Sequence, residues 1–385
     1  MSIVLYAVVS PSYIIGWKEA ERDILQKMSI SNNSNITNIE NFLENCSMSF
    51  AVPSSPFSSH ISNHIAACAV NIVFAIAGTI VNSFVLFIFW KSQKLRSKLS
   101  YFSIMLLCSI DLGVVTVVHP LFALKMITAI FGSAKCVYFV TYAIAILLFS
   151  GISGWTLFLI DIERYFSIIH PALHRNHFTR QRFMLTWVFV WFFVIFNLVL
   201  CIYFKFVAKV VIISLSIIVF TSLYTYVAIF AVAREKMLKL HNNSDQESPG
   251  NLIACLRELK MAKTYVLVVS LCFICYLPAV VVSGIHNRLD QSDKTPDTVV
   301  NATDWATTLA SMNSTLNCLV FFGGNREMRK EGSRILKQCF HGRGSDARKT
   351  NEAINTWKWL IVVFFSLTNR HISFIHLCLW IVWFV

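Results

Sequence analysis

The sequence predicts an all-α membrane protein: a seven-transmembrane helix bundle followed by a short interfacial helix. Of 385 residues, 56% are hydrophobic and 14% are charged, whereas soluble domains carry about 25% charged residues. Seven apolar stretches approach or exceed the ~20 residues that a helix needs to cross the hydrocarbon core. The segments that join them alternate between many and few basic residues. The predicted spans cover residues 65–90, 101–125, 134–162, 183–204, 208–233, 264–285 and 298–322.

Basic residues concentrate after the first, third, fifth and seventh spans, for example Lys94, Arg175, Arg234 and Arg329. The other connections hold few, and we assign Lys125 to one of these. The positive-inside rule therefore predicts an extracellular amino terminus. It also assigns the net charge of +13 to anionic lipids at the cytoplasmic membrane surface and not to nucleic acid.

These features divide the chain into four parts. Residues 1–63 form a polar amino-terminal tail, expected to be extracellular, and residues 64–323 form the bundle. Residues 324–341 form the interfacial helix, and residues 342–385 form a carboxyl-terminal tail with an atypical apolar segment. The amino-terminal tail holds three N-x-S/T sequons, which we expect to be glycosylated. Their acceptors are Asn32, Asn35 and Asn45.

The third predicted span ends in Glu163-Arg164-Tyr165. This tripeptide after a long uncharged run resembles the Asp/Glu-Arg-Tyr signature of rhodopsin-like (class A) G-protein-coupled receptors. The resemblance implies a latch in which Arg164 bridges Glu163 and Glu258, a residue that lies twenty positions before Pro278. It also implies that Tyr224 swings toward Arg164 on activation. The alternative for Glu258 is a solvated surface charge.

Five polar residues inside spans resemble the family's buried sodium site. A carboxylate or amide at bilayer depth is costly, so each is a functional candidate. An oxygen-rich set suits a hard cation such as sodium, the one cofactor that we expect. The alternative is that these groups only hydrogen-bond one helix to another. The set consists of Asp111, Ser153, Asn313, Ser314 and Asn317.

Further residues match structural marks of the family. Asn82 resembles the lone asparagine of the first helix, Trp191 the tryptophan of the fourth, and Pro278 the kink-forming proline of the sixth. In the seventh span, Cys318 and Phe321 stand where Asn-Pro-x-x-Tyr has proline and tyrosine. These departures weaken the expectation of full signalling strength.

The resemblance also bears on the ligand. Ile146 stands where amine receptors have aspartate, and the seventh span holds no lysine for a retinal Schiff base. A monoamine and retinal are therefore not expected, whereas a lipid, a nucleoside or a peptide stays open. The expected lining consists of apolar and small polar groups: Ile146, Leu147, Ser150, Tyr276, Thr307 and Ser311.

The short connection between spans four and five and the absence of proline from span five resemble the melanocortin, adenosine and cannabinoid group. The expected partners are an extracellular ligand, a heterotrimeric G protein and membrane lipids. No enzymatic role is expected. A non-signalling or constitutively active seven-helix protein is the alternative, and a transporter is a further one. Cys339 in the interfacial helix is either a palmitoylation site or an unmodified cysteine.

Overall fold

The computed structural model describes residues 61–131, 136–203, 207–242, 267–268, 270–282, 284–285 and 297–341. Every regular element in this part of the chain is helical, as predicted. A π-helical turn, Val114–Val118, joins the third helix to the fourth. The helices are α1 Ile61–Lys91, α2 Gln93–Arg96, α3 Leu99–Gly113, α4 His119–Ile130, α5 Cys136–Ile169, α6 Pro171–His177, α7 Arg180–Tyr203, α8 Val207–Asn242, α9 Ser270–Val282, α10 Asp297–Gly324 and α11 Arg326–His341.

Within the described residues, four helices are long and apolar enough to cross a membrane by length and composition. They match the first four predicted spans. Helix α8 covers the fifth predicted span and contains the apolar stretch Ser216–Val232, and α9 lies in the sixth. Helix α10 covers the seventh, with several polar residues along its length. The chain thus forms a helical membrane bundle, and the number of seven spans stays a prediction. The four helices are Ile61–Lys91, Leu99–Ile130, Val137–Ile169 and Arg180–Leu200.

The prediction for the second span ended five residues too early. We placed its end at residue 125, but the helix runs on to Ile130. Lys125 therefore lies within α4 and not in a connection. Its side chain is only 14% exposed, so it belongs to the interior of the bundle.

The π-helical turn has a local cause in Pro120. Proline lacks an amide hydrogen, and its ring would clash with the carbonyl of Thr116 in a regular α-helix. The wider turn relieves this clash. Asp111 lies before the turn and Lys125 after it, and both contact α10. One helical rod thus presents two charged side chains to the same partner helix.

Helix α1 packs closely against α10 and the α3–α4 rod, and Gly78 permits this approach. A Cβ atom at Gly78 would lie 2.5 Å from Cγ1 of Val115 and would also overlap the side chain of Thr315. One turn later, Asn82 donates to the carbonyls of Gly78 at 3.0 Å and Ser314 at 3.4 Å. Helices α1, α4 and α10 therefore form a tight group.

Helix α7, in contrast to α1, packs against its neighbours along only a small part of its surface. Its phenylalanines Phe189, Phe192 and Phe196 are all more than 60% exposed. Only a narrow stripe, which includes Val190 and Val194, packs against α3 and α5. An outward apolar face of this kind suits contact with lipid tails.

Helix α11 docks on one end of the bundle. Lys98 Nζ lies 2.9 Å from Glu327 Oε2, and this hydrogen bond holds the pKa of Glu327 below its usual range. Ser92 donates to Glu331 at 3.2 Å. Met328 is wholly buried. The predicted helix is thus present with its apolar side packed on protein, while contact with a membrane surface stays a prediction.

The two ends of the bundle differ in the charged residues that they contain. The end that contains Lys98, Arg164 and α11 is the arginine end. The opposite end, which contains Lys125 and Asp304, is the lysine end.

Candidate functional site

Glu163 and Arg164 lie side by side at the arginine end, and both are buried. Arg164 Nε is 3.0 Å from Glu163 Oε2. The other carboxylate oxygen, Oε1, lies 2.9 Å from Nε2 of His174. Helix α6, which carries His174, begins at Pro171, a residue whose fixed φ suits the first position of a helix. One buried carboxylate is therefore shared by basic groups from two helices.

His174 is a member of this cluster that sequence reasoning missed. The expected second partner of Arg164 was Glu258, which lies outside the described residues. The signal for His174 was the proline-initiated helix directly after the Glu-Arg-Tyr span, which puts a histidine eleven residues from Glu163. The structure thus ties the tripeptide to the connection that follows α5.

Tyr165 and Tyr224 lie together beside this cluster. Their ring centroids are 6.1 Å apart with the planes tilted by 33°. Tyr224 is 64% exposed and stands against Tyr165 on the outside of the bundle. Its predicted inward movement toward Arg164 stays a prediction.

Asp161, two residues before Glu163, is also buried but contacts a different helix. It accepts a short hydrogen bond from Ser222 of α8. Residues two apart in an α-helix point in nearly opposite directions, so the Asp161 side chain enters the interface between α5 and α8 while Glu163 meets His174. Asp161 is a buried polar link between these helices.

Asp111 is the centre of a polar cluster in the middle of the bundle. Ser153 donates to Asp111 Oδ1 at 2.6 Å, and Asn317 donates to Oδ2 at 3.3 Å. Ser314 is a third neutral donor to this carboxylate. Helices α3, α5 and α10 thus converge on one acid, and three of its four predicted partners contact it. Asn313 is buried beside Tyr276.

The donor set fits a hard cation. In the described part of the chain, the carbonyl oxygens of Asn313 and Asn317 are buried without a hydrogen-bond partner. Such orphaned oxygens are costly and need an explanation. The oxygen of Asn317 lies near Asp111, because the amide nitrogen of the same side chain donates to Asp111. Carboxylate, hydroxyl and amide oxygens together match the ligands that hard cations prefer.

A second charged cluster lies at the lysine end. Lys125 Nζ is 3.1 Å from Asp304 Oδ1, and His64 Nδ1 is 3.7 Å from Asp304 Oδ2. These side chains come from α4, α10 and α1. Sequence reasoning missed the cluster because it treated Lys125 as a connection residue. A lysine five residues after Pro120 in a continuing apolar pattern was the available signal.

A chain of polar groups lies on the same three helices as the lysine-end cluster. His119 Nδ1 is 2.6 Å from Asn71 Oδ1, and Asn71 donates to Thr308 Oγ1 at 2.9 Å. All three side chains are buried. They connect α4, α1 and α10, the same helices that build the lysine end.

Comparison with known proteins identifies the segment that contains Asp111 and Arg164. Residues 81–211 match the family described as 7 transmembrane receptor (rhodopsin family). Cannabinoid receptor 2 of Rattus norvegicus is 28% identical over 131 residues, which make up 33% of this chain and 35% of that receptor. This segment is similar to the rhodopsin-like receptor family. The match spans about a third of the relative's length.

The matched family is one of receptors, so the similarity favours the prediction of a receptor over that of an enzyme. Within the bundle, the residues predicted as structural marks are placed as follows. Asn82 is wholly buried and joins α1 to α10. Cys318 and Phe321 are also buried, and Cys318 Sγ lies 3.4 Å from Cys108 Sγ. Pro278 lies within α9.

The two tryptophans of α7 make different contacts. Trp187 donates to the hydroxyl of Thr156 on α5 at 3.1 Å. Trp191, the predicted family match, packs edge-on against Trp187 with ring centroids 5.7 Å apart. Within the described residues, the Trp191 nitrogen has no hydrogen-bond partner. The polar link from α7 to α5 therefore comes from Trp187.

The predicted ligand-lining residues occupy two levels of the bundle. Ile146 packs on the apolar cluster around Phe122 at the lysine end, and Thr307 bonds within α10 one turn from Asp304. Leu147 and Ser150 are half-buried. Tyr276 and Ser311 are buried more deeply, and Tyr276 lies beside Asn313. The set is thus split between the lysine end and the Asp111 cluster.

Four predicted modification sites stay predictions. Asn32, Asn35 and Asn45 lie outside the described residues, as do the two apolar tails. Cys339 lies in α11, but its side chain is outside the described set. The chain's fit to the family therefore rests on the bundle itself.

Proposed function

We propose that the chain is a G-protein-coupled receptor of the plasma membrane with an extracellular amino terminus. An extracellular ligand binds within the bundle toward the lysine end. A heterotrimeric G protein is activated at the arginine end when the third and sixth predicted spans, α5 and α9, move apart. The similarity to rhodopsin-like receptors supports this assignment.

The observation that carries the proposal is the cluster of the buried Glu163 and Arg164 with the half-buried His174. Breaking a buried charge pair is expensive, so an arginine held in this way has two discrete states. In the resting state Arg164 is held beside Glu163. In the active state it is released toward the G protein. The proposed Glu258 contact would add to the same restraint.

A sodium ion is the proposed allosteric ligand of the resting state. Asp111, Ser153, Asn313, Ser314 and Asn317 would hold it through their oxygens. The ion would supply the positive charge that neutral donors around Asp111 do not. A cation that binds the resting arrangement better than the active one shifts the equilibrium toward rest.

The experiment measures basal nucleotide exchange on several purified G-protein heterotrimers with the receptor in nanodiscs. His174→Ala removes a charge-assisted hydrogen bond worth ~1.5 kcal/mol, so basal exchange should rise by roughly tenfold. Arg164→Ala should abolish exchange. His177→Ala is the matched control, because His177 lies on the same helix and is exposed. It should leave the rate unchanged.

Equal rates for the parent, His174→Ala and Arg164→Ala would overturn the proposal. That result would favour a non-signalling seven-helix protein, an alternative supported by Cys318 and Phe321 in place of proline and tyrosine. High exchange in the parent that His174→Ala does not raise would instead indicate a constitutively active receptor.

A further inference from the structure

The ion pair at the lysine end joins residues 179 positions apart in the chain. The side chains of Lys125 and Asp304 are 14% and 11% exposed. They are shielded enough to interact strongly, yet not sealed from the aqueous end of the bundle. An incoming charged group can therefore compete for either partner.

Aromatic rings surround the ammonium group of Lys125. Its Nζ lies 5.5 Å from the ring centroids of Phe122 and Phe139, and 5.0 Å from that of Tyr142. The negative faces of such rings attract a cation within about 6 Å. The rings thus hold the ammonium in place even when its carboxylate partner moves away.

The two members of the pair differ in their second contacts. Asp304 has His64 near its other oxygen, at 3.7 Å, so the acid keeps a polar partner if it leaves Lys125. A cationic ligand seated on Asp304 would bring a second positive charge close to Lys125, which is repulsive. An acidic ligand seated on Lys125 likewise approaches the carboxylate of Asp304, but Asp304 can turn away toward His64, which reduces this repulsion. The arrangement therefore favours exchange of Asp304 for another acid.

Apolar side chains lie close to this pair. Lys125 Nζ lies over the rings of Phe122 and Tyr142, and Leu121, Ile146 and Trp305 pack on the buried cluster that contains these two rings. A ligand whose acid reaches Lys125 would lay the rest of its body against these side chains. Burial of that body would contribute about 0.8 kcal/mol for each methylene group.

We propose that Lys125 receives the acidic head group of an amphiphilic ligand, which displaces Asp304 from the ammonium. The inference rests on the proposed receptor function and names the ligand class of that receptor. It makes Lys125 the specificity-determining residue and Asp304 an internal competitor.

The test compares three probes with the same eighteen-carbon chain and different head groups: oleic acid, oleamide and oleylamine. Binding to the full-length receptor in neutral nanodiscs is measured at probe concentrations below aggregation, with empty nanodiscs subtracted. The parent should bind oleic acid at least tenfold more tightly than either other probe. Lys125→Gln should remove this preference, whereas Lys125→Arg should retain it.

The direction in which Asp304→Asn changes the affinity for oleic acid decides between the alternatives. Because it removes the internal competitor, oleic acid should bind this variant more tightly than the parent, by roughly tenfold. If Asp304 were instead the site of a ligand ammonium, Asp304→Asn would weaken oleylamine and leave oleic acid unaffected, and the proposal would be wrong. Equal binding of all three probes to the parent would also overturn it.

Lys98→Gln is the matched control. Lys98 is also paired with a glutamate, but at the arginine end, so this variant should bind oleic acid like the parent. The binding assay contains no G protein. Failure of acid recognition is therefore distinguishable from failure of the signalling proposal, which is judged by nucleotide exchange.

Discussion

Asp111 and Asp304 are two buried acids that both link the α3–α4 rod to α10, yet their surroundings differ. Asp111 belongs to the rod, and Asp304 belongs to α10. Asp111 is wholly buried and accepts hydrogen bonds from Ser153 and Asn317. Asp304 lies nearer the end of the bundle and meets the ammonium of Lys125. The first acid has neutral donors, and the second has an opposite charge.

This difference teaches what each acid is suited to do. Neutral donors stabilise a carboxylate but leave its net charge inside the bundle, where a charge without a counter-ion is costly. Asp111 would therefore suit the mobile cation proposed above. Asp304 is neutralised by a fixed lysine, so its cluster fits the proposed exchange of one acid for another. Depth and partner type thus distinguish the two proposed roles, an ion site and a site for a ligand head group.

The largest expected effect concerns stability. Asp304→Asn leaves Lys125 in a largely buried place without its acid, and breaking such a pair costs about 3 kcal/mol. Asp111→Asn keeps its neutral donors and should cost less than about 1 kcal/mol. Thermal unfolding in sodium-free nanodiscs would measure both variants.

The double variant Lys125→Gln/Asp304→Asn removes both charges and should recover most of the lost stability. Destabilisation of Asp111→Asn equal to that of Asp304→Asn would break the distinction between the two acids. Failure of the double variant to recover would show that the loss came from packing and not from charge.

A smaller effect concerns sodium. An ion present at ten times its dissociation constant stabilises the state that binds it by about 1.4 kcal/mol. Replacing N-methylglucamine by sodium at constant ionic strength should therefore raise the unfolding temperature of the parent. Asp111→Asn should lose this response, and Asp304→Asn should keep it. If Asp111→Asn still responds to sodium, the ion binds at a different site.

The smallest effect is expected for the exposed pair Lys98–Glu327, which calibrates the comparison. Lys98 and Glu327 are 48% and 29% exposed, and pairs of this kind contribute about 0.2 to 1 kcal/mol. The folded-state pKa of Glu327 is lowered from 4.5 by the hydrogen bond from Lys98. The contribution is therefore present above pH 4.5 and is lost as pH falls through the lower folded-state value.

Unfolding of the parent and Lys98→Gln would be compared from pH 7 downward. The difference should be under about 1 kcal/mol at pH 7 and should close in the acidic range. A difference that persists at low pH would mean that Lys98 acts through packing.

The sequence by itself determined the helical membrane class and the grouping around Asp111. Apolar runs of sufficient length must form helices in a bilayer because each backbone polar group needs an internal partner. Polar residues at bilayer depth are rare, so Asp111, Ser153 and Asn317 were each functional candidates, and the resemblance to the receptor family grouped them as a set. The charged tripeptide at the end of α5 stood out for the same reason.

Only the tertiary structure decided which polar groups meet. The pairs Lys125–Asp304, Glu163–His174, Asp161–Ser222 and Trp187–Thr156 each join two helices. Periodicity along one helix defines its faces but not its rotation or axial position against a neighbour. Those depend on packing, including the close approach at Gly78 and the π-helical turn before Pro120. The ligand-class inference therefore came from the packed bundle, since in the sequence Lys125 resembles an ordinary connection residue.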